Sequence, residues 1–356
     1  MSTIQNEVLV FPDTVRSFGY SALRRVGVSA NMYKPVIDGL VETSLRGVDS
    51  HGIRLIPHYV RAVLTGRINK DAKFSFWKKA PSVGLVDADA GFGIAAGVYA
   101  MDQAIKLANS SGVGAVSVRN SSHFGAAAIF GLRAAKKNMI GMVFTDVDSL
   151  SYPFGGVKTF FGTNPICFTA PMGREGPFCL DMATTRVAFN KILAYRSLGK
   201  PLDVGWGADE NGIPTTDATK AVSPIPIGDY KGYGLAMMVA IFSSLLAGVP
   251  YGPDIPAMFP LDGRRRNLGH FFLAIDIKRF RPISQFKRDL QNMSNMLRLI
   301  TPVDPAQPVI VSGDLEKKQF SIRRKYGIPV PKHDIDEILF LAKEINIDSH
   351  IFFQHE

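Results

Sequence analysis

The chain opens with a spacing of apolar residues that predicts a helical lobe. Over 12–26 apolar side chains return every three to four positions, which is the spacing of one buried helix face. Ser29 stands at the N-cap of a second predicted helix that runs to about Arg46, and Pro35 is tolerated in its first turns. A third helix is predicted over 53–66. Three successive helices indicate a helical N-terminal lobe.

Beyond about residue 81 the pattern changes to short apolar runs separated by helical stretches. The runs SVGLVDA (82–88), GAVSVRN (114–120) and IGMVFTD (140–146) have the length and composition of strands. NPICFTAP, GPFCLDMAT and NLGHFFLAIDI add three more strand-like runs. Strands that alternate with helices at this spacing predict an α/β fold.

One segment tests whether the chain is soluble. GYGLAMMVAIFSSLLAGVPYGP (232–253) carries no charged residue, and a bilayer span needs about 20 apolar residues. The run is solitary, contains Ser243, Ser244 and Gly248, and its helical part is expected to stop before Pro250. We therefore interpret it as a buried core helix rather than a membrane span.

The composition is that of an ordinary globular protein, with 46% hydrophobic and 20% charged residues over 356 positions. Cys167 and Cys179 both lie in strand-like runs, which predicts buried thiols and excludes a disulfide scaffold. A reducing cytoplasm fits this cysteine usage. Residues 1–16 carry acids and no long apolar core, so they are not expected to be a signal peptide.

The net charge of +10 favours anionic partners of some kind. The basic residues are dispersed, with local clusters over 264–266 and 317–325. No zinc spacing or RNA-binding aromatic signature accompanies them, so nucleic-acid binding is not expected and the clusters are interpreted as solvated faces. Dinucleotides and carboxylate substrates would be anionic ligands of a suitable size.

A glycine-rich string follows the first predicted strand but fails as a dinucleotide fingerprint. GFGIAAG (91–97) has the spacing GxGxxxG rather than GxGxxG. Asp87 and Asp89 stand directly before it, and the next strand ends in Arg119 and Asn120 rather than in an acid for a ribose. These glycines are therefore expected to admit close packing at a helix N-terminus.

The turn SLRGVDSHGIRLIPHY (44–59) concentrates groups that move protons or bind a carboxylate. His51 titrates near neutral pH, and Gly52 beside it allows a ligand to approach closely. Arg54 offers a planar fork to a carboxylate, and Arg46 either does the same or charges the end of its helix. A solvated turn between two helices is the alternative reading.

A second histidine, His123, follows RNSS at a strand-to-helix turn, where α/β sheets bind ligands. Ser121 or Ser122 is predicted to cap the following helix, and free N–H groups there would suit an anion. His123 could equally be a capping or packing residue. Asp146, at the end of a later strand, could orient a histidine or be an ordinary turn acid.

Two other kinds of chemistry find no support in the sequence. No HxxxH, CxxC or HExxH spacing occurs, so no catalytic metal is expected. No GxSxG elbow exposes a serine nucleophile, which disfavours a hydrolase built on Ser50 or Ser122.

Taken together, the strings resemble the type-2 malate/L-lactate dehydrogenase family. The resemblance covers about residues 10–345 and keeps the order of the motifs LRGVDSHGIRLIPHY, RNSSHFGAA, PFGGVKTFFGTNPICFTAP, DMATT, WGADENGIPTTD, YKGYGLAMMV and NLGHFFLAI. The family includes ureidoglycolate, sulfolactate and diketogulonate oxidoreductases and piperideine-carboxylate reductases.

The resemblance implies an α/β fold with a mixed-sheet, non-Rossmann NAD(P)-binding domain and a helical lobe built from the N- and C-terminal segments. We expect a helical segment over 1–75, a cofactor- and substrate-binding region over 76–280, and a C-terminal helical segment over 281–356 that packs with the first. It also implies a homodimer whose cleft is shared between subunits.

The resemblance also assigns roles to particular residues. His51 is implied to exchange a proton with the C2 oxygen of the substrate, with Ser50 beside it, and His123 is implied to lie in the same cleft, where some relatives use it as the base. Our hypothesis for the mechanism adds that Ser50 and Asp146 orient His51. Thr163 and Asn164 would shape the nicotinamide side. The residues implied to contact the cofactor are Leu180, Asp181, Met182, Ala183, Thr184, Lys231, Gly232, Ser312, Gly313 and Asp314.

One departure bears on how the substrate carboxylate is held. Many relatives carry arginine four residues after the SHG histidine, where this chain has Leu55, and its arginine comes one residue earlier at Arg54. One residue on a helix turns a side chain by about 100°. Arg54 and Arg46 therefore both stay candidates for the carboxylate.

The sequence thus predicts a cytoplasmic oxidoreductase that moves a hydride between NAD or NADP and a small 2-hydroxy or 2-oxo acid. Neither membrane nor nucleic acid is an expected partner. A cyclic-imine reductase and a non-catalytic anion-binding protein on the same scaffold are the alternatives.

Overall fold

The computed structural model describes residues 7–353, and it forms the three predicted N-terminal helices. They are α1 (Pro12–Arg25), α2 (Ala30–Leu45) and α3 (Ile56–Leu64), and two 3-10 turns, Asp49–His51 and Ile53–Leu55, join the last two. The prediction about residues 1–16 lies partly outside the described residues.

The strand-like runs quoted above form strands with shifted ends, alongside further strands that the pattern did not predict. The strands are β1 (Glu7–Val10), β2 (Ser75–Ala80), β3 (Val83–Asp87), β4 (Val113–Ser121), β5 (Met139–Thr145), β6 (Ile166–Ala170), β7 (Phe178–Met182), β8 (Gly207–Ala208), β9 (Pro214–Thr215), β10 (Ser223–Pro224), β11 (Leu268–Asp276) and β12 (Ile328–Pro331). The helices are α4 (Gly93–Ser111), α5 (Ala128–Lys136), α6 (Phe189–Ser197), α7 (Tyr230–Ala240), α8 (Ile283–Arg298), α9 (Asp314–Tyr326) and α10 (Lys332–Glu344).

Within the described residues, the main sheet has seven strands in the order β2-β3-β4-β11-β5-β6-β7. β3 and β4 pair in parallel, whereas β11 runs antiparallel to both β4 and β5 and separates them. β3, β4 and β5 therefore run in the same direction, as the predicted alternation of strands and helices implies. β4 and β5 do not pair directly, however, because β11 lies between them. The mixed α/β fold is confirmed.

The helical lobe is built from both ends of the chain, as the resemblance implied. Its core contains residues from α1, α2 and α3 together with Ile335, Ile338 and Leu341 of α10. β1 and β12 pair antiparallel, with Val10 opposite Ile328. α8 contributes no residue to this core. It packs instead against the segment that follows β6, where the hydroxyl of Ser294 donates to Met172 Sδ at 3.3 Å.

Two predicted helix caps are wrong in detail. Ser29 occupies the N-cap of α2, but its hydroxyl bonds the side chain of Asn31 at 2.5 Å instead of a backbone N–H. Ser122 caps no following helix, because its hydroxyl accepts from Gly93 N at 2.9 Å, at the start of α4. Ser121 bonds His270 Nε2 at 2.8 Å. Residues 122–126 are consequently not helical, and α5 starts later than predicted.

The uncharged segment is half-buried, so its interpretation as a buried core helix is correct for one face only. α7 continues into a π-helical turn, Ile241–Leu245, and stops there. Its inner face is buried, whereas Met237, Ile241 and Leu245, four residues apart, are 49%, 42% and 53% exposed. No helix among residues 7–353 is long and apolar enough to cross a membrane. Of the two thiols, Cys167 is buried and Cys179 is half-buried.

Asp146 ties the end of β5 to this π-helical turn. Its buried carboxylate accepts from Ser244 Oγ at 2.8 Å and from Val147 N at 3.0 Å. Burial raises the pKa of Asp146 to about 6, although hydrogen bonds from Ser244, Asn164 and Val147 oppose the shift. The folded protein therefore favours the protonated carboxyl more than the unfolded chain does.

We expect Asp146→Asn to stabilise the protein at pH 7.5. Because the pKa is raised on folding, the contribution of Asp146 to the free energy of unfolding should rise as the pH falls from about 7 towards 4. The amide does not titrate, so its advantage, at most about 3 kcal/mol at pH 7.5, should shrink towards zero near pH 4. Chemical denaturation at several pH values measures this difference. The exposed Asp71→Asn is the control, and a pH-independent loss in Asp146→Asn would contradict the prediction.

Candidate functional site

A cleft of about 590 Å³ lies where the helical lobe meets the sheet. Its walls come from the C-terminal end of α2, the 3-10 turn after it, the first turn of α5, β7 and residues 310–316. Ser50, His51, Arg46 and Thr163 all line this cleft. The structure therefore brings distant parts of the predicted site together.

The turn that carries His51 is shaped by two glycines. Gly47 has φ +82°, a left-handed conformation that ends α2 and suits glycine. A Cβ on Gly52 would lie 2.0 Å from Ser44 Oγ, so a larger residue would not fit. The same Ser44 Oγ accepts from Ile53 N at 3.0 Å. These contacts fold the chain sharply between α2 and α3 and turn His51 into the cleft.

His51 is held at one ring nitrogen, which leaves the other for a ligand. Ser50 Oγ lies 2.9 Å from His51 Nδ1. No hydrogen-bond partner of His51 Nε2 occurs among residues 7–353. Burial, followed by the positive charge of Arg54, lowers the pKa of His51 to about 4. The imidazole is therefore neutral at pH 7 and able to accept a proton.

His123 is buried beside His51 but is not among the residues that line the cleft. The two rings are 5.8 Å apart between centroids and nearly parallel, at 24°. The hydroxyl of Tyr59 lies 2.8 Å from His123 Nδ1 and 3.3 Å from the His123 carbonyl oxygen. Burial, then the charges of His51, His58, Arg266 and His270, lower the pKa of His123 well below its usual range. Tyr59 thus fixes the ring of the second histidine.

The two candidate arginines have different surroundings. The guanidinium of Arg54 faces α10, where Nε lies 3.6 Å from Asp334 Oδ1, and it does not line the cleft. Arg46 lines the cleft, and its Nε and Nη2 donate to Glu42 Oε1 at 3.0 and 2.8 Å. Only the second is placed to meet a ligand in this cleft.

Thr163 and Asn164 lie at different depths. Thr163 lines the cleft, and its carbonyl oxygen accepts from Thr184 N at 2.9 Å and from Thr184 Oγ1 at 3.0 Å. Asn164 is fully buried, and its Nδ2 donates to Ala236 O at 3.0 Å. Asn164 and Thr184 therefore support the cleft from behind, and Asp146 bonds to Ser244 in the same layer rather than to His51.

Leu180, Asp181 and Met182 of β7 and the following Ala183 line the cleft. Asp181 Oδ2 accepts from Ala128 N at 2.8 Å, at the N-terminus of α5. This carboxylate already supplies negative charge to the helix end. A ligand group that donates a hydrogen bond fits beside Asp181 better than a phosphate does.

Lys231 and Gly232 contribute differently from the expectation. Lys231 is exposed, with Nζ 5.9 Å from the ring centroid of Tyr230, and it is not among the residues that line the cleft. A Cβ on Gly232 would lie 2.2 Å from Ile227 O and 2.9 Å from Thr184 O. The glycine therefore lets the start of α7 pack against the backbone behind the cleft.

The Ser312–Asp314 turn also divides. Ser312 and Gly313 line the cleft, and Gly313 has φ +96° with its Cβ position 3.2 Å from Cys179 N. Asp314 turns away and accepts from Arg298 Nε and Nη2 at 2.9 and 2.8 Å. It holds the N-terminus of α9 in place.

Two buried arginines near the histidines were not anticipated. Arg266 is 3% exposed, bonds Asp148 through Nη2, and donates from Nε to Pro256 O at 2.9 Å. Arg67 donates to the carbonyl oxygens of residues 257, 258 and 260 and to Asp262. Its bonds shape the loop that places Phe259 5.2 Å from His58.

The positions of these arginines in the sequence did not indicate that they are buried. Arg266, for example, falls in a basic cluster that we interpreted as a solvated face. The contact of Tyr59 with His123 was not predicted either, although Tyr59 ends the SLRGVDSHGIRLIPHY turn. No group of three His, Cys, Asp or Glu side chains that could hold a metal ion occurs within the described part of the chain.

Several known proteins are similar to this chain in sequence and in fold. The profile of the family described as malate/L-lactate dehydrogenase matches residues 10–339. Malate dehydrogenase of Pyrococcus abyssi is 34% identical over 96% of both chains. Ureidoglycolate dehydrogenase (NAD(+)) of Escherichia coli K12 is 32% identical over 86% of this chain and 88% of its own. The solved sulfolactate dehydrogenase of Methanocaldococcus jannaschii has a TM-score of 0.91 and 30% identity, and covers 98% and 100% of the two chains.

The predicted family, the mixed sheet and the two-ended helical lobe thus agree with the comparisons. The chain belongs to the malate/L-lactate dehydrogenase family.

Proposed function

We propose that the protein is an NAD(P)-dependent dehydrogenase of a small 2-hydroxy acid. The observation that carries the proposal is the pair of adjacent neutral histidines, of which His51 lines the cleft and His123 packs against it, with His51 Nε2 left without a protein partner. Proteins similar to this chain are named malate, sulfolactate and ureidoglycolate dehydrogenases. A neutral imidazole beside a ligand cleft suits proton transfer at an alcohol oxygen.

The cleft offers groups that suit the rings and a ribose of a nicotinamide dinucleotide. Apolar Leu180, Met182 and Val311 offer surfaces for flat rings, and Asp181 offers an acceptor to a ribose hydroxyl. Gly313 leaves room beside Cys179 that a Cβ would fill. Such a cofactor, when bound, gives or takes a hydride at C2 of the substrate.

The protein's own part is to hold the substrate and to move one proton. His51 Nε2 accepts the hydroxyl proton during oxidation and returns it during reduction, while Ser50 fixes Nδ1. Arg46 is the cation placed on the cleft wall to bind the carboxylate, with Arg266 as a buried positive charge behind the histidines. Thr163, which also lines the cleft, would border the nicotinamide.

We expect turnover with at least one small 2-oxo acid in a panel of oxaloacetate, pyruvate, sulfopyruvate and oxalurate-like compounds. Each is tested with NADH and NADPH at the nicotinamide absorbance. Piperideine-2-carboxylate is included, because turnover of the imine alone would assign the protein to the cyclic-imine reductases. Dinucleotide binding without turnover of any compound would favour the non-catalytic alternative.

His51→Gln should lower kcat by about 10²–10⁴-fold, the usual contribution of a general base, with dinucleotide affinity nearly unchanged. Fluorescence titration and steady-state kinetics separate the two quantities. His333→Gln is the matched control, because that side chain is 72% exposed on α10. If His51→Gln retains turnover while His123→Gln and Tyr59→Phe lose it, the base is His123.

We also propose that the protein is a homodimer. The apolar stripe of α7, Met237, Ile241 and Leu245, is about half exposed and continues to Tyr230, which is 61% exposed. Patches of this kind on a soluble enzyme mark protein interfaces. The stripe lies on the helix whose first turn packs behind the cleft through Gly232, so a second copy there would also border the site.

Analytical ultracentrifugation should give about twice the chain mass of 38.9 kDa. Met237→Asp with Leu245→Asp should shift the protein towards the monomer by placing charge in an apolar contact. Val204→Asp, at an apolar residue that is 83% exposed outside α7, is the control. A wild-type monomer at micromolar concentration would contradict the dimer.

A further inference from the structure

We propose that Arg323 is a positioning residue that holds the His51 turn in its working geometry from the C-terminal helix α9. This inference rests on the proposed role of His51. Arg323 does not line the cleft. It acts through its bonds to Asp49 and to the end of α2. The sequence pattern had placed it in a basic cluster interpreted as a solvated face.

The contact is a two-pronged ion pair with an added backbone bond. Arg323 Nη1 donates to Asp49 Oδ1 at 2.6 Å and to Ser44 O at 2.7 Å, and Nη2 donates to Asp49 Oδ2 at 3.0 Å. The arginine side chain is 12% exposed, whereas the side chain of Asp49 is 45% exposed, so solvent reaches the pair mainly from the carboxylate side. A bidentate arginine–carboxylate pair fixes direction as well as distance.

The bonds fall at both ends of the connection that leads to His51. Ser44 lies in the last turn of α2, and Asp49 is the first residue of the 3-10 turn that ends at His51. Between them stands Gly47, whose left-handed backbone allows the chain to turn but adds no side-chain contact of its own. Arg323 therefore bonds the chain on both sides of the glycine at which it turns.

Other residues of α9 pack on the same segment. The side chain of Gln319 lies against Gly47, 3.1 Å from where a Cβ would be, and the ring of Phe320 lies 5.4 Å from the guanidinium carbon of Arg46. Gln319, Phe320 and Arg323 are spaced to face one side of a helix. At its other end, Leu315 and Glu316 line the cleft. One 13-residue helix thus contacts both the cleft and the turn.

A purely structural role would predict a different result from a positioning role. If Arg323 only stabilised the fold, its loss would lower the melting temperature but leave kcat per folded enzyme unchanged. If it positions His51, kcat should fall while dinucleotide affinity holds, because misplacement of about 1 Å can cost 10²-fold in rate. The split between kcat and binding distinguishes the two.

The experiment compares Arg323→Ala, Arg323→Lys, Asp49→Asn and the Arg323→Ala/Asp49→Asn double variant, with Arg324→Ala as the control on the same helix. Arg323→Ala should lower kcat about 10–100-fold, with the dinucleotide dissociation constant and substrate KM within about twofold. Lysine should rescue only part of the loss, since it cannot form the bidentate pair. The double variant should lose no more than the worse single variant.

Hydrogen exchange supplies a readout that does not require turnover. Amides of residues 49–53 should exchange about tenfold faster in Arg323→Ala and at the wild-type rate in Arg324→Ala. Unchanged kcat per folded enzyme, or unchanged exchange over 49–53, would overturn the proposal. If the wild type turns over no 2-hydroxy or 2-oxo acid, the proposed function fails, and the exchange measurement still decides whether Arg323 holds the turn.

Discussion

The insertion of β11 between β4 and β5 is the constraint on which the site depends. His270, buried on β11, bonds Ser121 Oγ at 2.8 Å through Nε2 and Thr145 Oγ1 at 2.7 Å through Nδ1. One imidazole thereby joins the C-terminal ends of two strands that follow each other in sequence but do not touch. His123 comes two residues after the first of these ends, and Asp146 directly follows the second.

Close packing behind β11 makes this insertion possible. A Cβ on Gly269 would lie 2.0 Å from Ser243 O, in the π-helical turn after α7. The register of β11 on β4 also shifts between Leu268 and His270, which is where a bulge forms. Gly269 lets the π-helical turn approach the sheet. The carboxylate of Asp146 is buried against Ser244 of that turn. The layer behind the cleft and the strand order are therefore parts of one arrangement.

The sequence predicted elements well where the signal was local, and contacts poorly where it was not. The helix periods around Pro12 and Ser29 and the strand-like runs of the sheet all gave elements near their observed positions. Strand order could not be read in the same way, because β11 joins the sheet from over 120 residues beyond β5. The hydroxyls of Ser121 and Ser122 likewise bond to partners distant in the chain, so a rule based on the next helix misassigned them.

For the site, motifs identified which segments meet but not which side chains face the ligand. The His51 turn, the strand over 180–183 and the Ser312–Gly313 turn all reach the cleft, whereas Lys231 and Asp314 point elsewhere. The direction of a charged side chain depends on the ion pair that it forms. Arg54 faces Asp334 instead of the cleft, and Asp314 faces Arg298. Such partners lie on α8 and α10, whose contacts with the cleft segments have no local signature.

Charge is the property that local reading misjudged most consistently. Arg266 and Arg323 both come from basic clusters, yet each is mostly buried and paired with an aspartate. A buried guanidinium needs such a partner, because an unpaired charge in the interior is costly. Where α9 meets the N-terminal lobe, Arg323 supplies the cation, and the turn before His51 supplies the carboxylate of Asp49 and the carbonyl oxygen of Ser44. The observed shape of the turn that carries His51 therefore includes contacts from a helix near the other end of the chain.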